Sequence, residues 1–523
     1  MNTTGKRTYN PFSRALSVFV ALALVLFACP APRARAAKSP DTFVVGMVSA
    51  AGAALNPLVC NQRDLVSINK LVFESVIDLD DDLHPVGELA LSWEFSGSTC
   101  VFQLRDNVRF HDGTYMTAQD VVDTYAYIMQ LGEKNSPYYT RCGYIASMSA
   151  TNTHELTVTG KYESYLTLYA MTFPVLQRDS LTWDMACGTG PYWYMNYDFD
   201  WMQIDANPYW WKKAPTYQSI YGYRYDETGD ALQALSTGEI DALATRSQSA
   251  ALSRQLSDRV SVDYATLTYE MLIPNIESTV FQNVNTRKAL MYAIDIPTIA
   301  SNIYMGMVTK SEVPILPGSW LYEPQSAIYY ESQERALQLL KQAGWSDYNQ
   351  DGILDQIVDG ILEQFEITLL TYVDDTAATR THAAELIRDQ LRPLGIVLKV
   401  ETASKSSVEK KLKNGDFQLV LGAVNLAELP DLTFILNSSG RMSYSGYSSA
   451  DMNTFLSNVY NTTDEETFRM WFSKIQMLTA EELPYLGLFF RKGTLMTTAD
   501  ISGLGAVLET DTLRGIEFVE RLD

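Results

Sequence analysis

One stretch of the second half alternates strand and helix patterns, and this alternation constrains the fold most strongly. Strand patterns occupy residues 365–372, 396–401 and 417–424, and helical patterns occupy residues 376–391 and 406–415 between them. The last strand, FQLVLGAV, is a continuous apolar run, which is typical of a strand buried in a parallel sheet. Because strand–helix–strand crossovers build parallel sheets, the chain is predicted to be a mixed α/β protein.

An acidic residue follows the last of these strands closely. Glu428 lies four residues past its end, within the largely apolar stretch 423–436, which also contains Asp431. Ligands of open α/β sheets bind beyond the carboxyl ends of the strands, so Glu428 is predicted to lie near a cleft. A buried carboxylate is costly unless a cation or several donors meet it. Two roles stay open for Glu428: the counter-ion of a ligand ammonium, and a structural salt bridge or exposed loop acid.

The first half of the chain has a different pattern of strands and helices. A short strand–helix–strand unit spans residues 219–244, whereas residues 75–187 contain short strands joined by turns. Thr117 and Asp120 form a capping-box pattern that predicts the start of a helix. Residues 75–187 are therefore expected to form a separate, mostly antiparallel α+β insert.

The N-terminus has the pattern of an export signal. Basic residues precede an apolar run at residues 15–29, which is too short to span a bilayer but suits the apolar core of a signal peptide. Two cleavage sites stay open. The sequence LFAC favours a signal peptide over residues 1–28 and a lipidated Cys29, whereas ARA favours ordinary cleavage after Ala36. The mature protein is expected outside the cytoplasmic membrane, either lipid-anchored or periplasmic or secreted.

Charge argues against one class of partner. The chain has 40 Lys and Arg residues against 62 Asp and Glu residues, a formal net charge of −22. Such a surface repels phosphate backbones, so no nucleic-acid partner is expected.

Cysteine parity fits an exported protein. An even number of cysteines remains in the mature chain and predicts two disulfides, although four free buried thiols are the alternative. These candidates are Cys60, Cys100, Cys142 and Cys187. A catalytic Cys187 has no histidine in a recognisable partner motif, and His111 beside Asp112 precedes the capped helix, where a structural turn is expected. No catalytic residue, cofactor or Cys/His metal site is predicted.

The sequence DYNQDGILD matches the first half of a calcium-binding loop. The matching residues are Asp347, Asn349, Asp351, Gly352 and Asp355. The twelfth position, normally a bidentate acid, is Val358. A solvated turn explains the same residues, so calcium binding and a plain turn both stay open.

Several segments in order carry a family resemblance across nearly the whole mature chain. They include LNPL (55–58), FQLRDNVRFHDGTYMTAQDVVDTY (102–125), GTGPYWY (188–194), ALQALSTGEIDAL (231–243), TRKALMYAIDIPTI (286–299) and LRPLGIVLKV (391–400). The chain resembles family 5 of the bacterial extracellular solute-binding proteins, the peptide- and dipeptide-binding components of ABC importers. The resemblance implies a periplasmic-binding-protein-like fold, in which two lobes joined by a hinge close over a ligand and one lobe carries an inserted domain.

The resemblance also implies a function without catalysis. The protein is expected to act as a monomer that captures a short peptide and presents it to the transmembrane permease subunits. Nickel complexes, haem and oligosaccharides are the alternative solutes, and an exported hydrolase is the alternative class. The expected segments are a signal peptide (1–28), a first lobe (41–74, 188–262 and 483–523), an inserted domain (75–187) and a second lobe (263–482).

Ligand positions carry over from the family unevenly. In its peptide binders an aspartate within a motif like Trp-x-Ala-Asp-Tyr holds the α-ammonium of the peptide. Here residues 425–429 have Asn-Leu-Ala-Glu-Leu, which keeps the acid as Glu428 and loses both aromatic rings. The resemblance also implies that Asn61, Thr245, Asn425 and Phe489 lie at the ligand cleft.

Overall fold

The alternating strands and helices of the second half form the parallel arrangement that their pattern predicts. The computed structural model describes residues 39–48, 52–253, 259–373, 378–498, 501–502, 504 and 506–521. From Asp41 on, the described residues belong to one compact unit. The predicted signal peptide (1–28), Cys29 and Ala36 lie outside the described residues.

The strands are short on average, with two long exceptions. They are β1 (Thr42–Val48), β2 (Ile77–Leu79), β3 (Pro85–Gly87), β4 (Ala90–Ser96), β5 (Thr99–Leu104), β6 (Ile145–Asn152), β7 (Glu155–Gly160), β8 (Tyr192–Asp198), β9 (Trp201–Ala206), β10 (Ser219–Tyr225), β11 (Ala242–Thr245), β12 (Arg259–Pro274), β13 (Val308–Lys310), β14 (Asp355–Val358), β15 (Ile361–Gln364), β16 (Glu366–Tyr372), β17 (Val397–Ala403), β18 (Leu419–Asn425), β19 (Leu486–Thr498), β20 (Ile501–Ser502) and β21 (Glu520–Arg521).

Helices follow many of these strands. They are α1 (Arg63–Val72), α2 (Ala118–Leu131), α3 (Tyr139–Cys142), α4 (Leu166–Ala170), α5 (Thr228–Ser236), α6 (Ser249–Ser253), α7 (Thr279–Gln282), α8 (Val284–Ala293), α9 (Ile296–Asn302), α10 (Gln333–Gln342), α11 (Thr379–Leu391), α12 (Lys405–Asn414), α13 (Thr433–Leu436), α14 (Ala450–Val459) and α15 (Glu465–Glu482). Among the described residues, none of these helices combines the length and the apolar character needed to cross a membrane.

One large sheet organises the molecule. It has eleven strands, in the order β17-β16-β18-β12-β19-β11-β1-β10-β9-β8, with β13 added beside β19. At one end, β16 is parallel to both β17 and β18. Helices α11 and α12 connect these strands, so the predicted βαβαβ unit and the mixed α/β class are confirmed. At the other end, β10 and β11 both lie parallel to β1.

The two long strands join the two ends of this sheet. β12 and β19 pair with each other in antiparallel fashion from residue 259 to residue 272 of β12. β12 also pairs with β18, and β19 with β11. A buried ion pair holds this junction, because Arg380 and Arg491 both donate to the fully buried Glu270 of β12.

A separate four-stranded sheet lies within the segment expected to be an insert. Its order is β4-β5-β7-β6, and all of its pairings are antiparallel. Helix α2 begins with the predicted capping box between Thr117 and Asp120 and packs against β6. The exact domain boundaries given above stay a prediction.

The cysteine prediction is wrong for this structure. Its four candidates are free thiols, and no two of them lie at disulfide distance: Cys60, Cys100, Cys142 and Cys187. Cys100 is buried within β5 and Cys142 at the end of α3, and both thiols lie in the hydrophobic core. Burial raises the pKa of both of these thiols to about 12, which leaves them protonated and unreactive.

His111 is structural, as the turn pattern predicted. Its ring is buried, its Nδ1 accepts a hydrogen bond from the backbone N–H of Gly188, and its Nε2 faces the carbonyl oxygen of Gly190. Burial lowers the pKa of His111 to about 4, so the ring is neutral at physiological pH.

Candidate functional site

The chain leaves the large sheet at the end of β18, and Glu428 follows three residues later. Its side chain is 14% exposed. Arg141 Nη2 lies 3.2 Å from Glu428 Oε2, and the hydroxyl of Thr510 donates to Oε1. The carboxylate is therefore met by a cation and by a neutral donor from two distant parts of the chain.

Electrostatics keep Glu428 ionised. Burial opposes ionisation, but the guanidinium of Arg141, the ammonium of Lys70 and the hydroxyl of Thr510 outweigh it and lower the pKa of Glu428. Lys70 itself lies 3.0 Å from Asp78. Glu428 is thus a charged group in a partly buried environment, where the low dielectric constant strengthens charge interactions.

A small apolar cavity of about 50 Å³ opens beside Glu428. Its walls come mainly from leucine, proline and aromatic side chains, among them Leu267, Trp320 and Phe490. The carboxylates among its lining residues are Glu428 and Asp431. A mostly apolar lining with a few convergent polar groups is typical of small-molecule sites.

Asp431 differs from Glu428 in what it contacts. One of its carboxylate oxygens accepts from the hydroxyl of Tyr144, and the other accepts from the backbone N–H and the hydroxyl of Thr433. These three donors are all neutral. The apolar cavity therefore holds one carboxylate paired with an arginine and a second one held by uncharged donors.

A second, basic and larger cavity has a volume of about 590 Å³. Its lining includes four cationic side chains: Arg63, Arg246, Arg491 and Lys492. The three arginines already have acidic partners, because Arg63 contacts Asp64, Arg246 contacts Glu509 and Arg491 contacts Glu270.

The two cavities share strands but not residues. Leu267 lines the apolar cavity, whereas the next residue, Thr268, lines the basic one. Phe490 and Arg491 divide between them in the same way. Since successive side chains of a strand point to opposite faces, β12 and β19 separate the two cavities.

Comparison with known proteins places this fold in a family. A model described as "Bacterial extracellular solute-binding proteins, family 5 Middle" matches residues 84–444, more than half of the chain. The chain belongs to this family. It is therefore a bacterial extracellular solute-binding protein of family 5, a family of substrate-binding proteins of ABC importers.

Individual members are distant in sequence but alike over their whole length. The oligopeptide-binding protein AppA of Bacillus subtilis (strain 168) is 23% identical over 525 residues, which cover 93% of this chain and 95% of AppA. The structure of AppA from Bacillus subtilis in complex with a nonapeptide has a TM-score of 0.64 at 22% identity, covering 92% of this chain and 99% of that one. A nickel ABC transporter protein from Bacillus halodurans has a TM-score of 0.81 at 16% identity, covering 92% of this chain and all of the other.

The positions that the resemblance implied do not meet at one point in this family 5 protein. Thr245, buried at the end of β11, lines the basic cavity, whereas Glu428 lines the apolar one. Asn425 is exposed at the end of β18 and accepts a hydrogen bond from Thr268. Asn61 is exposed just before α1.

Phe489 lies in the hydrophobic core. It is 1% exposed and packs edge-on against Tyr304, with ring centroids 4.7 Å apart. Its neighbour Phe490, by contrast, lines the apolar cavity. The role of Phe489 in ligand binding stays a prediction; in this structure its ring packs against Tyr304.

Sequence reasoning missed the partners of Glu428. Arg141 is 287 positions away and Thr510 is 82 positions away. Neither belongs to a motif, so no local signal could have found them. Asp431 was visible as an acid in an apolar stretch, and its bond from the N–H of Thr433, two residues on, is the local turn contact that Asp side chains commonly make.

Proposed function

We propose that this protein is the extracytoplasmic receptor of an ABC importer and that it captures short peptides. The observation that carries the proposal is the apolar cavity with carboxylates at its margin, just past the carboxyl end of a buried parallel strand. Apolar walls suit peptide side chains, and a carboxylate suits the α-ammonium group. The similarity to AppA, an oligopeptide-binding protein, supports the same ligand class.

The role of Glu428 follows from its charge state. A low pKa keeps the carboxylate ionised across physiological pH, so it can act as a counter-ion without first losing a proton. Arg141 holds the carboxylate in place and neutralises it while no ligand is bound. We infer that a peptide ammonium joins or displaces this arginine at Glu428, with Asp431 as a second acceptor on the same cavity.

Two lobes and a hinge belong to the same proposal. The first lobe comprises residues 41–74, 188–262 and 483–523, the second comprises residues 263–482, and residues 75–187 are inserted in the first. The protein acts as a monomer that delivers its ligand to transmembrane permease subunits. It reaches the outer face of the membrane through lipidation at Cys29, or the periplasm or medium after cleavage at Ala36.

Native mass spectrometry of protein purified from its host tests the ligand class most directly. A co-purified mass that matches short peptides, and that disappears after unfolding and refolding, is the expected result. A bound nickel complex, to which the Bacillus halodurans relative points, would replace the peptide by another solute. Incubation of the refolded protein with a defined peptide mixture is the companion experiment, since hydrolysis of the mixture would overturn the receptor assignment.

A further inference from the structure

A surface loop of the second half carries chemistry that peptide capture does not use. Residues 347–354 lie between α10 and β14, and none of them lines either cavity. The loop has oxygen-bearing side chains at its first, third, fifth and ninth positions, namely Asp347, Asn349, Asp351 and Asp355, with Ile353 at the seventh. Alternate oxygen ligands of this kind are the ligand pattern of a calcium loop.

The backbone folds around these side chains. Both carboxylate oxygens of Asp347 accept hydrogen bonds, one from the N–H of Asp351 at 3.1 Å and one from the N–H of Gly352 at 3.0 Å. Gly352 has a φ of +87°, a conformation that favours glycine and makes the sharp turn required at the sixth position of a calcium loop.

Asp355 supplies an independent observation that points to a ligand. Its side chain is fully buried, and its backbone pairs with Ser346 in both directions. Oδ2 accepts from the backbone N–H of Tyr348 at 3.2 Å, so the carboxylate faces the loop. Oδ1 has no hydrogen-bond partner among the residues that the structure describes. A buried carboxylate oxygen left without a partner is costly, and a bound cation or its water shell removes that cost.

We propose that residues 347–355 bind a calcium ion. The ligands are the side-chain oxygens of Asp347, Asn349 and Asp351 and the carbonyl oxygen of Ile353, with Asp355 acting through a water molecule. These are the first, third, fifth, seventh and ninth positions of the loop. In the described part of the chain no three His, Cys, Asp or Glu side chains are grouped as a metal cluster. The site therefore depends on an amide and a carbonyl oxygen as well as carboxylates, a hard oxygen set that suits calcium.

The affinity is expected to be low. Val358 occupies the twelfth position, where a bidentate acid normally supplies two ligands. With two direct carboxylates and no twelfth ligand, the site belongs with extracellular calcium modules, whose Kd is about 10⁻⁴ to 10⁻³ M. An exported protein meets its calcium outside the cytoplasm, so a weak site of this kind can still be occupied.

The ion has a structural purpose in the fold. β14 and β15 form a two-stranded sheet of their own, and isolated hairpins are marginal in water. Asp351 already touches this hairpin, because Gln364 of β15 donates to its Oδ2 at 2.7 Å. A calcium ion held by Asp351 at one side and Asp355 at the other fastens the hairpin to the loop.

Terbium luminescence is the sharpest test, because Tyr348 lies within the loop and can transfer excitation energy to a bound Tb³⁺ ion. Excitation of tyrosine is expected to produce terbium emission that calcium displaces at about 10⁻⁴ to 10⁻³ M, with magnesium at least tenfold weaker. Asp347→Asn and Asp351→Asn keep size and remove charge, and each is expected to weaken terbium and calcium binding at least tenfold. Glu363→Gln, on an exposed side chain of β15, is the matched control and should bind as the wild type does.

Two results would overturn the calcium site. One is terbium emission that persists unchanged in Asp351→Asn, which would place the ion elsewhere. The other is a melting temperature that about 10 mM calcium leaves unchanged in the wild type, since a tenfold excess over a Kd at the weak limit must stabilise the folded chain. Circular dichroism of each variant without metal checks that it is folded, and peptide binding need not be known for either measurement.

Discussion

Replacing Glu428 with glutamine separates a ligand-binding acid from a structural one. The substitution keeps the size of the side chain and removes its charge. Two contacts change: the ion pair with Arg141 at 3.2 Å and the hydrogen bond from Thr510. If Glu428 is the counter-ion of a peptide ammonium, a third and larger contact is lost whenever peptide is bound.

The two roles predict different magnitudes. Loss of one partner of a buried, hydrogen-bonded charge pair costs ~2–5 kcal/mol, so Glu428→Gln should weaken binding of a free peptide roughly 30- to 5,000-fold. The stability of the unliganded protein should fall less, by about 1.5–3 kcal/mol, as is usual for a hydrogen bond to a charged group. Arg141 retains its bond to Thr172 Oγ1 and lies 5.4 Å from the centroid of the Tyr138 ring, so it is not stranded.

Calorimetry on four combinations isolates the contact with the ligand. Wild type and Glu428→Gln are each titrated with a short peptide and with its N-acetylated form. Acetylation should weaken wild-type binding about as much as the substitution does and should add little in Glu428→Gln, because both changes remove the same interaction. Arg141→Gln is the matched control, since it breaks the same ion pair but leaves the acid, and it should keep the full acetylation effect.

A different pattern would refute this reasoning. If Glu428→Gln binds the free peptide as tightly as the wild type, the acid serves only the fold. The same titrations on Asp431→Asn then tell whether the second carboxylate of the apolar cavity holds the ammonium. If neither variant loses affinity, the apolar cavity is not the ammonium site, and the basic cavity that Thr245 lines becomes the place to look for an anionic ligand.

Three further predictions concern the fold. Glu270→Gln should destabilise the protein by about 3–5 kcal/mol in urea unfolding, because the buried Arg380 loses its ion pair with Glu270; the exposed Glu277→Gln should change little, and equal effects would contradict this. Burial, with a contribution from Asp78, raises the pKa of Asp511 to about 7, so the folded chain holds a proton that the unfolded chain has released. Stability should therefore fall as pH rises from about 4 to 7, and Asp511→Asn should flatten that fall by up to ~4 kcal/mol; an unchanged pH profile of Tm would refute it. Thiol counting on unfolded, unreduced mature protein should find four free thiols, and any protected pair would contradict the structure: Cys60, Cys100, Cys142 and Cys187.

Local patterns predicted the elements well. The strand expected at residues 417–424 is β18 (419–425), and the helix expected at residues 406–415 is α12 (405–414). The capping box at Thr117 also forms as expected. These features depend on the spacing of hydrophobic residues and on hydrogen bonds over three or four residues. Residues close together in the sequence are therefore enough to predict them.

The number of cysteines did not predict which of them are bonded. An even number of cysteines indicated two disulfides, yet the four thiols are buried or half-buried apart from one another. Parity reflects the redox setting, whereas a disulfide needs two Cα atoms within about 7 Å. The place of Phe489 at the ligand cleft, which the family resemblance implied, stays a prediction; in this structure its ring packs edge-on against Tyr304 in the core.

By itself the sequence determined that an acidic residue follows a buried parallel strand closely, because the apolar strand pattern and the position of Glu428 are both read from neighbouring residues. Only the tertiary structure decided what that acid meets. Arg141 belongs to a helix next to the antiparallel sheet and Thr510 to the C-terminal segment. Their approach depends on how separate parts of the chain pack, and an ion pair across 287 positions leaves no period or spacing in the sequence from which it could be predicted.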